Sequence, residues 1–160
     1  MVKALLTGSF DPFTLGHEQL VKSVLKIVDT LDIVLALNSS KKSVFPIQNR
    51  IECIKYLYDN DSRITVCSHN GLIAKYCIDN NIDIIVRGVR SNYDLEYEKN
   101  MATMNEKMCG VETIFFPAKQ HLQHISSTIV RDILLNGGSI NELVPEKVAD
   151  FLSNMEICYE

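Results

Sequence analysis

The chain has 160 residues, of which 46% are hydrophobic and 22% are charged, and its formal net charge is −4. These values are typical of a soluble globular protein of about one domain. The acidic balance argues against a protein that binds nucleic acid through a broad basic surface. No stretch approaches the ~20 apolar residues of a membrane span, and the first apolar run is too short for a secretion signal. We therefore expect a single domain over residues 1–160, with a loose tail at 153–160 and neither nucleic acid nor a membrane as partner.

The five cysteines are odd in number and widely spaced, at positions 53, 67, 77, 109 and 158. Because no Cys-x-x-Cys occurs, the pattern indicates neither a zinc site nor a disulfide framework. We expect reduced thiols that pack in the core of a cytoplasmic protein.

The first predicted elements are a strand at residues 2–6 and a helix that begins around Thr14 and Gly16. The apolar residues of this helix recur on one face over residues 18–28. Between them lies the segment Gly-Ser-Phe-Asp-Pro-Phe-Thr-Leu-Gly-His, residues 8–17, which we call the motif turn. Gly8 allows a sharp turn and a close approach to a ligand. His17 falls in the first turn of the helix, where unpaired N–H groups and the positive dipole end suit a phosphate. The same dipole end favours a neutral imidazole, which still donates one hydrogen bond.

The rest of the chain repeats this alternation of strand and helix. Further strands are predicted at 31–37, 63–67, 82–86 and 113–116, and further helices after Pro46 and Gly71 and at 93–108, 126–135 and 145–151. Five alternations predict an α/β fold, a Rossmann-like, doubly wound, parallel five-stranded sheet with flanking helices and right-handed crossovers. Ligands of such sheets bind beyond the carboxyl ends of the strands. We therefore expect four polar segments that follow strands to converge on one crevice: 8–17, 39–42, 87–90 and 126–128.

These segments carry groups that bind phosphate. Lys41 offers a mobile point charge, whereas Arg87 and Arg90 offer forked donors. Ser126, Ser127 and Thr128 place hydroxyls and N–H groups at a helix start. Taken singly, each has a structural explanation as a solvated loop, a surface charge or a helix cap. Because all follow strand ends, together they favour a site that positions and neutralises phosphates.

Other kinds of site are not indicated. No Asp/Glu pair stands out as a metal cage, no Ser-His-Asp arrangement is evident, and no Gly-x-x-x-x-Gly-Lys-(Ser/Thr) loop occurs. The predicted site is therefore unsuited to forming a covalent intermediate.

The motif turn resembles the signature of nucleotidyltransferases that carry a (His/Thr)-x-Gly-His motif. Four further segments are similar, in order and spacing, to the bacterial phosphopantetheine adenylyltransferases: Ser-Ser-Lys-Lys at 39–42, Arg-Gly-Val-Arg at 87–90, Asp-Leu-Glu-Tyr-Glu at 94–98 and Ile-Ser-Ser-Thr at 125–128. The similarity covers about residues 3–152. It implies transfer of adenylate from ATP to 4′-phosphopantetheine by in-line attack of the acceptor phosphate, giving dephospho-coenzyme A and pyrophosphate. It further implies Mg²⁺ carried with ATP and a homohexamer.

The resemblance also implies roles for individual residues. His17, Lys41 and Arg90 would be catalytic, with His17 on the α-phosphate and Arg90 on the ATP phosphates. Ser9, Lys41, Ile73 and Arg87 would hold the acceptor, Ile73 along the pantetheine arm. ATP would contact Ser9, Phe10, His17, Gly88, Val89, Arg90, Glu98, Leu122, Gln123, His124, Ile125, Ser126, Ser127 and Thr128. The family often has Thr where this chain has Ser9, and the hydroxyl is retained.

Two alternatives stay open on the sequence alone. The acceptor could be another phosphorylated molecule, such as a nicotinate nucleotide or glycerol phosphate, although the segment Arg87 to Glu98 argues against it. A non-catalytic nucleotide-binding domain on the same fold is the other alternative, because fold alone does not fix function. The intact set of Ser9, His17, Lys41, Arg87 and Arg90 argues against it.

Overall fold

The computed structural model describes residues 1–37 and 43–155. Strands and helices alternate from the start of the chain, and the bounds are β1 (Lys3–Gly8), α1 (Leu15–Val24), β2 (Thr30–Ala36), α2 (Ile47–Leu57), β3 (Ile64–His69), α3 (Ile73–Asp79), β4 (Ile84–Val89), α4 (Asn92–Cys109), β5 (Glu112–Pro117), α5 (Ser127–Leu135) and α6 (Glu146–Ser153). A short 3-10 helix, Gln120–Leu122, lies between β5 and α5. Among these helices, none combines the length and the apolar character needed to cross a membrane.

The strands form one parallel sheet in the order β3-β2-β1-β4-β5. The chain therefore builds outward from β1 to β3 and then returns to place β4 on the other side of β1. This reversal is the topological switch point at which open α/β sheets bind ligands. The β1–β4 ladder ends at the pair Leu6 and Val86, so the crevice opens immediately beyond it. The predicted doubly wound α/β fold is confirmed.

Alternate residues of the buried strands pack against different helix layers, as the period of two requires. On one face, Ala4 and Leu6 of β1 belong to a large core under α1, α2, α5 and α6. On the other face, Leu5 joins a smaller cluster under α3 that includes Tyr76 and Cys77. Because β1 is buried on both faces, it is held rigidly and fixes where the motif turn begins.

The predicted bounds of two elements were wrong. The strand β4 was expected to end at residue 86, but it continues to Val89 because Arg87, Gly88 and Val89 pair with residues 115–117 of β5. The helix α1 was expected to run to residue 28, but it ends at Val24. Its start was predicted correctly, since Thr14 serves as the N-cap and His17 is the third helical residue.

Candidate active site

The motif turn holds the ring of His17 in a single defined orientation. The Nδ1 atom of His17 accepts a hydrogen bond from the backbone N–H of Thr14 at 3.0 Å, and the Thr14 hydroxyl lies 3.1 Å from the same nitrogen. This is the geometry of a capping box, in which the third helical residue reaches back to the N-cap N–H. Because Nδ1 is the acceptor, the proton of the neutral ring is on Nε2. His17 therefore presents an N–H donor on the side of the ring away from Thr14.

The surroundings of His17 keep its ring uncharged. Phe10 meets the ring edge-on with 5.1 Å between ring centroids, and Phe13 lies at 5.2 Å. Burial against these rings is the main cause that lowers the pKa of His17 to about 4, and the charges of Arg90 and Arg87 lower it further. At neutral pH the ring is therefore a neutral hydrogen-bond donor rather than a cation.

Glycines line the floor of the crevice at the ends of β1 and β4. A Cβ atom on Gly8 would lie 3.0 Å from the ring of Phe10, and one on Gly88 would lie 3.1 Å from Leu20. Larger residues would push these neighbours aside, so both positions favour glycine. The two glycines therefore let Phe10 and Leu20 pack directly against the ends of β1 and β4.

Arg87 is tied to both the crevice floor and helix α4. Its Nε and Nη2 atoms donate to the two carboxylate oxygens of Glu98 at 2.7 and 2.5 Å, and its Nη1 donates to the carbonyl of Thr7. The side chain of Arg87 is 27% exposed and that of Glu98 is 14% exposed. Sequence reasoning assigned Arg87 to the acceptor and Glu98 to ATP, but the structure joins them as one bidentate pair. An incoming phosphate would share Arg87 with Glu98.

Arg90 is the more open cation at this edge of the sheet. Its Nε lies 3.3 Å from the Asp94 carboxylate and its side chain is 43% exposed. Its Nη1 lies 3.5 Å from the carbonyl of Ile125, so it spans the gap between the end of β4 and the start of α5. These contacts are long, and therefore the guanidinium can turn toward an anion at small cost.

The start of α5 lies against the motif turn. The Ser126 hydroxyl caps the helix by accepting from the N–H of Ile129 at 3.2 Å. The Ser127 hydroxyl donates to the carbonyl of Pro12 at 2.8 Å, which brings the helix N-terminus beside residues 8–17. Thr128 is exposed at the same helix start. The segments 8–17, 87–90 and 126–128 therefore meet at one edge of the sheet, as their positions after strands predicted.

The remaining predicted residues lie in different surroundings. Phe10, Leu122 and Ile125 are buried, whereas Ser9, Gln123 and His124 are exposed. Ile73 begins α3 and packs against the smaller core cluster on the far face of the sheet. Lys41 and its segment 39–42 lie outside the described residues, as does the tail beyond residue 155.

Sequence reasoning missed a buried charge cluster beneath the motif turn. Asp11 is 3% exposed, and its carboxylate accepts from the N–H groups of Val44 and Phe45 at 3.0 Å each. Arg131 of α5 approaches this carboxylate to 3.8 Å. Arg50 of α2 is 8% exposed and donates to the carbonyl of Ser9 at 2.6 Å. The partners of Asp11 could not be recognised from the sequence, because Val44 and Arg131 are 33 and 120 residues away. The only signal in the sequence was the presence of Asp11 inside the motif turn.

The acidic side chains around the crevice are already bound to partners within the chain. Asp11 accepts two backbone N–H groups, Glu98 holds Arg87, and Asp94 faces Arg90. Among residues 1–37 and 43–155, no group of three or more His, Cys, Asp or Glu could hold a metal ion. The described residues therefore offer donors for phosphate oxygens rather than a cage for a metal.

Comparisons with known proteins agree with this geometry. Residues 5–133 match the family model described as cytidylyltransferase-like. The phosphopantetheine adenylyltransferase of Christiangramia forsetii is 39% identical over 92% of this chain and 98% of its own length. The enzymes of that name from Phocaeicola vulgatus and Bifidobacterium longum are 38% and 36% identical, over 91% and 96% of this chain and 97% and 94% of their own. The chain therefore belongs to the cytidylyltransferase-like family and, within it, to the phosphopantetheine adenylyltransferases.

Proposed function

We propose that this protein transfers adenylate from ATP to 4′-phosphopantetheine, giving dephospho-coenzyme A and pyrophosphate, the penultimate step of coenzyme A synthesis. The observation that carries the proposal is the neutral His17, held at a helix start beside Arg87 and Arg90 in a member of this family. The reaction brings two polyanions together, and this crevice is rich in donors for phosphate oxygens.

In this mechanism an oxygen of the acceptor phosphate attacks the α-phosphorus of ATP. The bond from that phosphorus to the bridging oxygen of the β-phosphate breaks, and pyrophosphate leaves with the bonding electrons. The acceptor phosphate is already a competent nucleophile at neutral pH, so the chain needs no strong general base. Its contribution is alignment of the reactants and stabilisation of the charge that develops.

We assign the roles from the contacts of each group. The Nε2–H of His17 would donate to an oxygen of the α-phosphate, where charge builds up in the transition state. Arg90, with its loose contacts, would bind the β- and γ-phosphates and follow them as they leave. Arg87 is oriented by Glu98 and, together with Lys41, would hold the acceptor phosphate. The start of α5, Ser126 to Thr128, would add N–H donors.

The ATP in this proposal is the magnesium complex, taken up as substrate. Asp11, Glu98 and Asp94 are each engaged within the chain, so the ion would be held by the phosphates themselves. Magnesium in that position would withdraw negative charge from the leaving pyrophosphate. The described cysteines at 53, 67, 77 and 109 are free thiols, which fits our further proposal that the protein works in the cytoplasm.

We also propose a homohexamer, and an apolar stripe on α4 supports self-association. Tyr97, Met101, Met104 and Met108 are 64%, 44%, 53% and 46% exposed, and their spacing places them on one face of the helix. Contiguous exposed apolar side chains of this kind mark contact surfaces. Light scattering of the wild type should give six times the chain mass, and Met104→Glu should lower it. A wild-type monomer would contradict this proposal.

The reaction is tested by pyrophosphate release with ATP, magnesium and 4′-phosphopantetheine. Nicotinate mononucleotide and glycerol 3-phosphate serve as control acceptors, and mass spectrometry identifies the adenylated product. We expect release with 4′-phosphopantetheine alone and formation of dephospho-coenzyme A. Release with a control acceptor would overturn the acceptor assignment. No release with any acceptor, from folded protein that binds ATP, would overturn the enzymatic proposal.

A further inference from the structure

Three backbone carbonyls of the motif turn are held by side chains from other elements. Arg50 of α2 donates to the carbonyl of Ser9 at 2.6 Å. Arg131 of α5 donates to the carbonyl of Asp11 at 2.7 Å, and Ser127 to that of Pro12 at 2.8 Å. The turn that carries His17 is therefore fixed from outside, by contacts that span 41 to 120 residues of sequence.

Among these donors, Arg131 has contacts that join two parts of the proposed ATP site. Its Nη1 binds the carbonyl of Asp11 and lies 3.8 Å from the carboxylate of the same residue. Its Nη2 lies 3.2 Å from the hydroxyl of Thr128 at the start of α5. One planar guanidinium thus connects the motif turn to the helix start, and its side chain is only 25% exposed.

The Asp11 carboxylate completes this link on the buried side. Its two oxygens accept from Val44 and Phe45, so the same residue that receives Arg131 also ties the motif turn to the segment before α2. A buried carboxylate is costly unless it is paired and hydrogen-bonded, and Asp11 meets both conditions. Loss of Arg131 would remove a positive charge beside this carboxylate and the bond to the Asp11 carbonyl, and would loosen the turn.

We propose that Arg131 is a positioning residue, which acts through Asp11 to fix the motif turn against the start of α5 and so sets the distance between His17 and the other phosphate donors. This inference rests on the proposed adenylate transfer. It differs from a direct role for Arg131 on a phosphate, because the donors described above point to the chain and not to the crevice. Small misplacements of reacting groups are expensive in this kind of catalysis.

The test compares Arg131→Met, Arg131→Lys, Asp11→Asn and the double variant Asp11→Asn/Arg131→Met in the pyrophosphate-release assay. We expect Arg131→Met to lower kcat by about 10- to 100-fold, with the KM for ATP changed less than about threefold. Arg131→Lys, which keeps one charged donor, should restore part of kcat. The double variant should be slowed by less than the product of the two single effects, because the charge contact between the two side chains is lost in each single variant. The bond from Arg131 to the Asp11 carbonyl survives Asp11→Asn, so Asp11→Asn alone should have the smaller effect.

Lys147→Met is the matched control, since Lys147 also joins two helices, by donating to the carbonyl of Tyr56 at 3.1 Å, and lies outside the crevice. It should keep wild-type kcat. Every assay is run below the unfolding temperature of each variant, and Arg131→Lys carries the test if Arg131→Met does not fold. The inference is overturned by an unchanged kcat, by multiplying effects in the double variant, or by a tenfold rise in the KM for ATP at full kcat. A wild type that releases no pyrophosphate overturns the proposed function instead.

Discussion

Two buried aspartates lie toward opposite ends of the strands of the same sheet, and they have different surroundings. Asp32, near the start of β2, is 2% exposed, and Asp11, in the motif turn, is 3% exposed. The Asp32 carboxylate accepts from Lys3 Nζ at 2.8 Å and from the Tyr76 hydroxyl at 3.0 Å, both within regular elements. The Asp11 carboxylate accepts from two backbone N–H groups between elements and faces Arg131.

The difference shows how a buried aspartate serves stability at the amino ends of the strands, as Asp32 does, and function at the carboxyl ends, as Asp11 does. At the amino end of the strands, the charge on Asp32 is compensated within the structure and its neighbours offer little to a ligand. At the carboxyl end, Asp11 orders a turn, while His17 of the same turn and Arg90 after β4 retain donors that can reach a ligand. Buried polar groups of both kinds are retained in a fold, but only the second kind defines a site.

The largest effect that follows concerns His17. We expect His17→Ala to lower kcat by about 100- to 1,000-fold, because it removes a donor aimed at charge in the transition state. The KM for ATP should change much less. Steady-state pyrophosphate release measures both constants. His69→Ala is a matched control at the end of β3, and a His17→Ala enzyme with near-normal turnover would reject this role.

At the opposite edge, Asp32→Asn should affect stability and not turnover. It removes the charge that pairs with Lys3 and weakens the bond from Tyr76, at a cost of about 3 kcal/mol in the free energy of unfolding. Urea unfolding measures the loss, and kcat of the folded variant should stay within about twofold. Asp59→Asn, which breaks an exposed pair with Lys147, should cost less than about 1 kcal/mol. A large drop in kcat for folded Asp32→Asn would contradict the distinction between Asp32, which serves stability, and Asp11, which serves the site.

The neutral state of His17 also makes a prediction about stability and pH. The unfolded chain protonates this histidine near pH 6.5, whereas the folded protein does so only near its pKa of about 4. Between these values the unfolded state binds more protons, so lowering the pH from 6.5 to 4 should reduce the free energy of unfolding. We expect the free energy of unfolding to fall by about 2 kcal/mol over this range, after allowing for the partial exposure of the His17 ring.

This contribution is measured as the difference between the wild type and His17→Gln, since carboxylates titrate in the same range in both proteins. Urea unfolding at pH 7, 5.5 and 4.5 should show a wild type that loses more stability than the variant. Parallel curves for the two proteins would indicate an ordinary pKa for His17.

The smallest expected effect concerns the pair at the crevice wall. Glu98→Gln keeps the shape of the side chain but weakens its bidentate bond to Arg87. We expect the KM for 4′-phosphopantetheine to rise about fivefold, or ~1 kcal/mol, because Arg87 loses its orientation. Glu106→Gln, an exposed change on the same helix, is the control. A lower KM for the acceptor would mean that Glu98 competes with the substrate and does not orient Arg87.

Local sequence patterns were enough to predict the order of the strands and helices, and to place the site at the carboxyl ends of the strands. The apolar run in residues 31–37 indicated a doubly buried strand, and the motif turn followed the first strand as expected. The end of β4 was predicted wrongly because residues 87–89 look like a loop until β5 is placed beside them. Pairing partners far along the chain decide such boundaries.

The charge cluster under the motif turn could not be predicted, for the same reason. Asp11 and Arg131 are 120 residues apart, and no periodicity connects them. The capping role of Thr14 was easier to predict than this cluster. Thr14 and His17 are only three residues apart, which is the spacing of a capping box and therefore a local signal in the sequence. The predicted role of Lys41 stays a prediction, since the described residues do not include it.

The proposed chemistry depends above all on His17 being a neutral ring with its proton on Nε2. Nitrogen-15 NMR of the imidazole in the free protein, recorded from pH 8 to pH 4, measures this state. We expect a protonated Nε2 and an unprotonated Nδ1 throughout the neutral range, with titration only near pH 4. A pKa near 6.5, or a proton on Nδ1 at neutral pH, would contradict the proposed role of this ring.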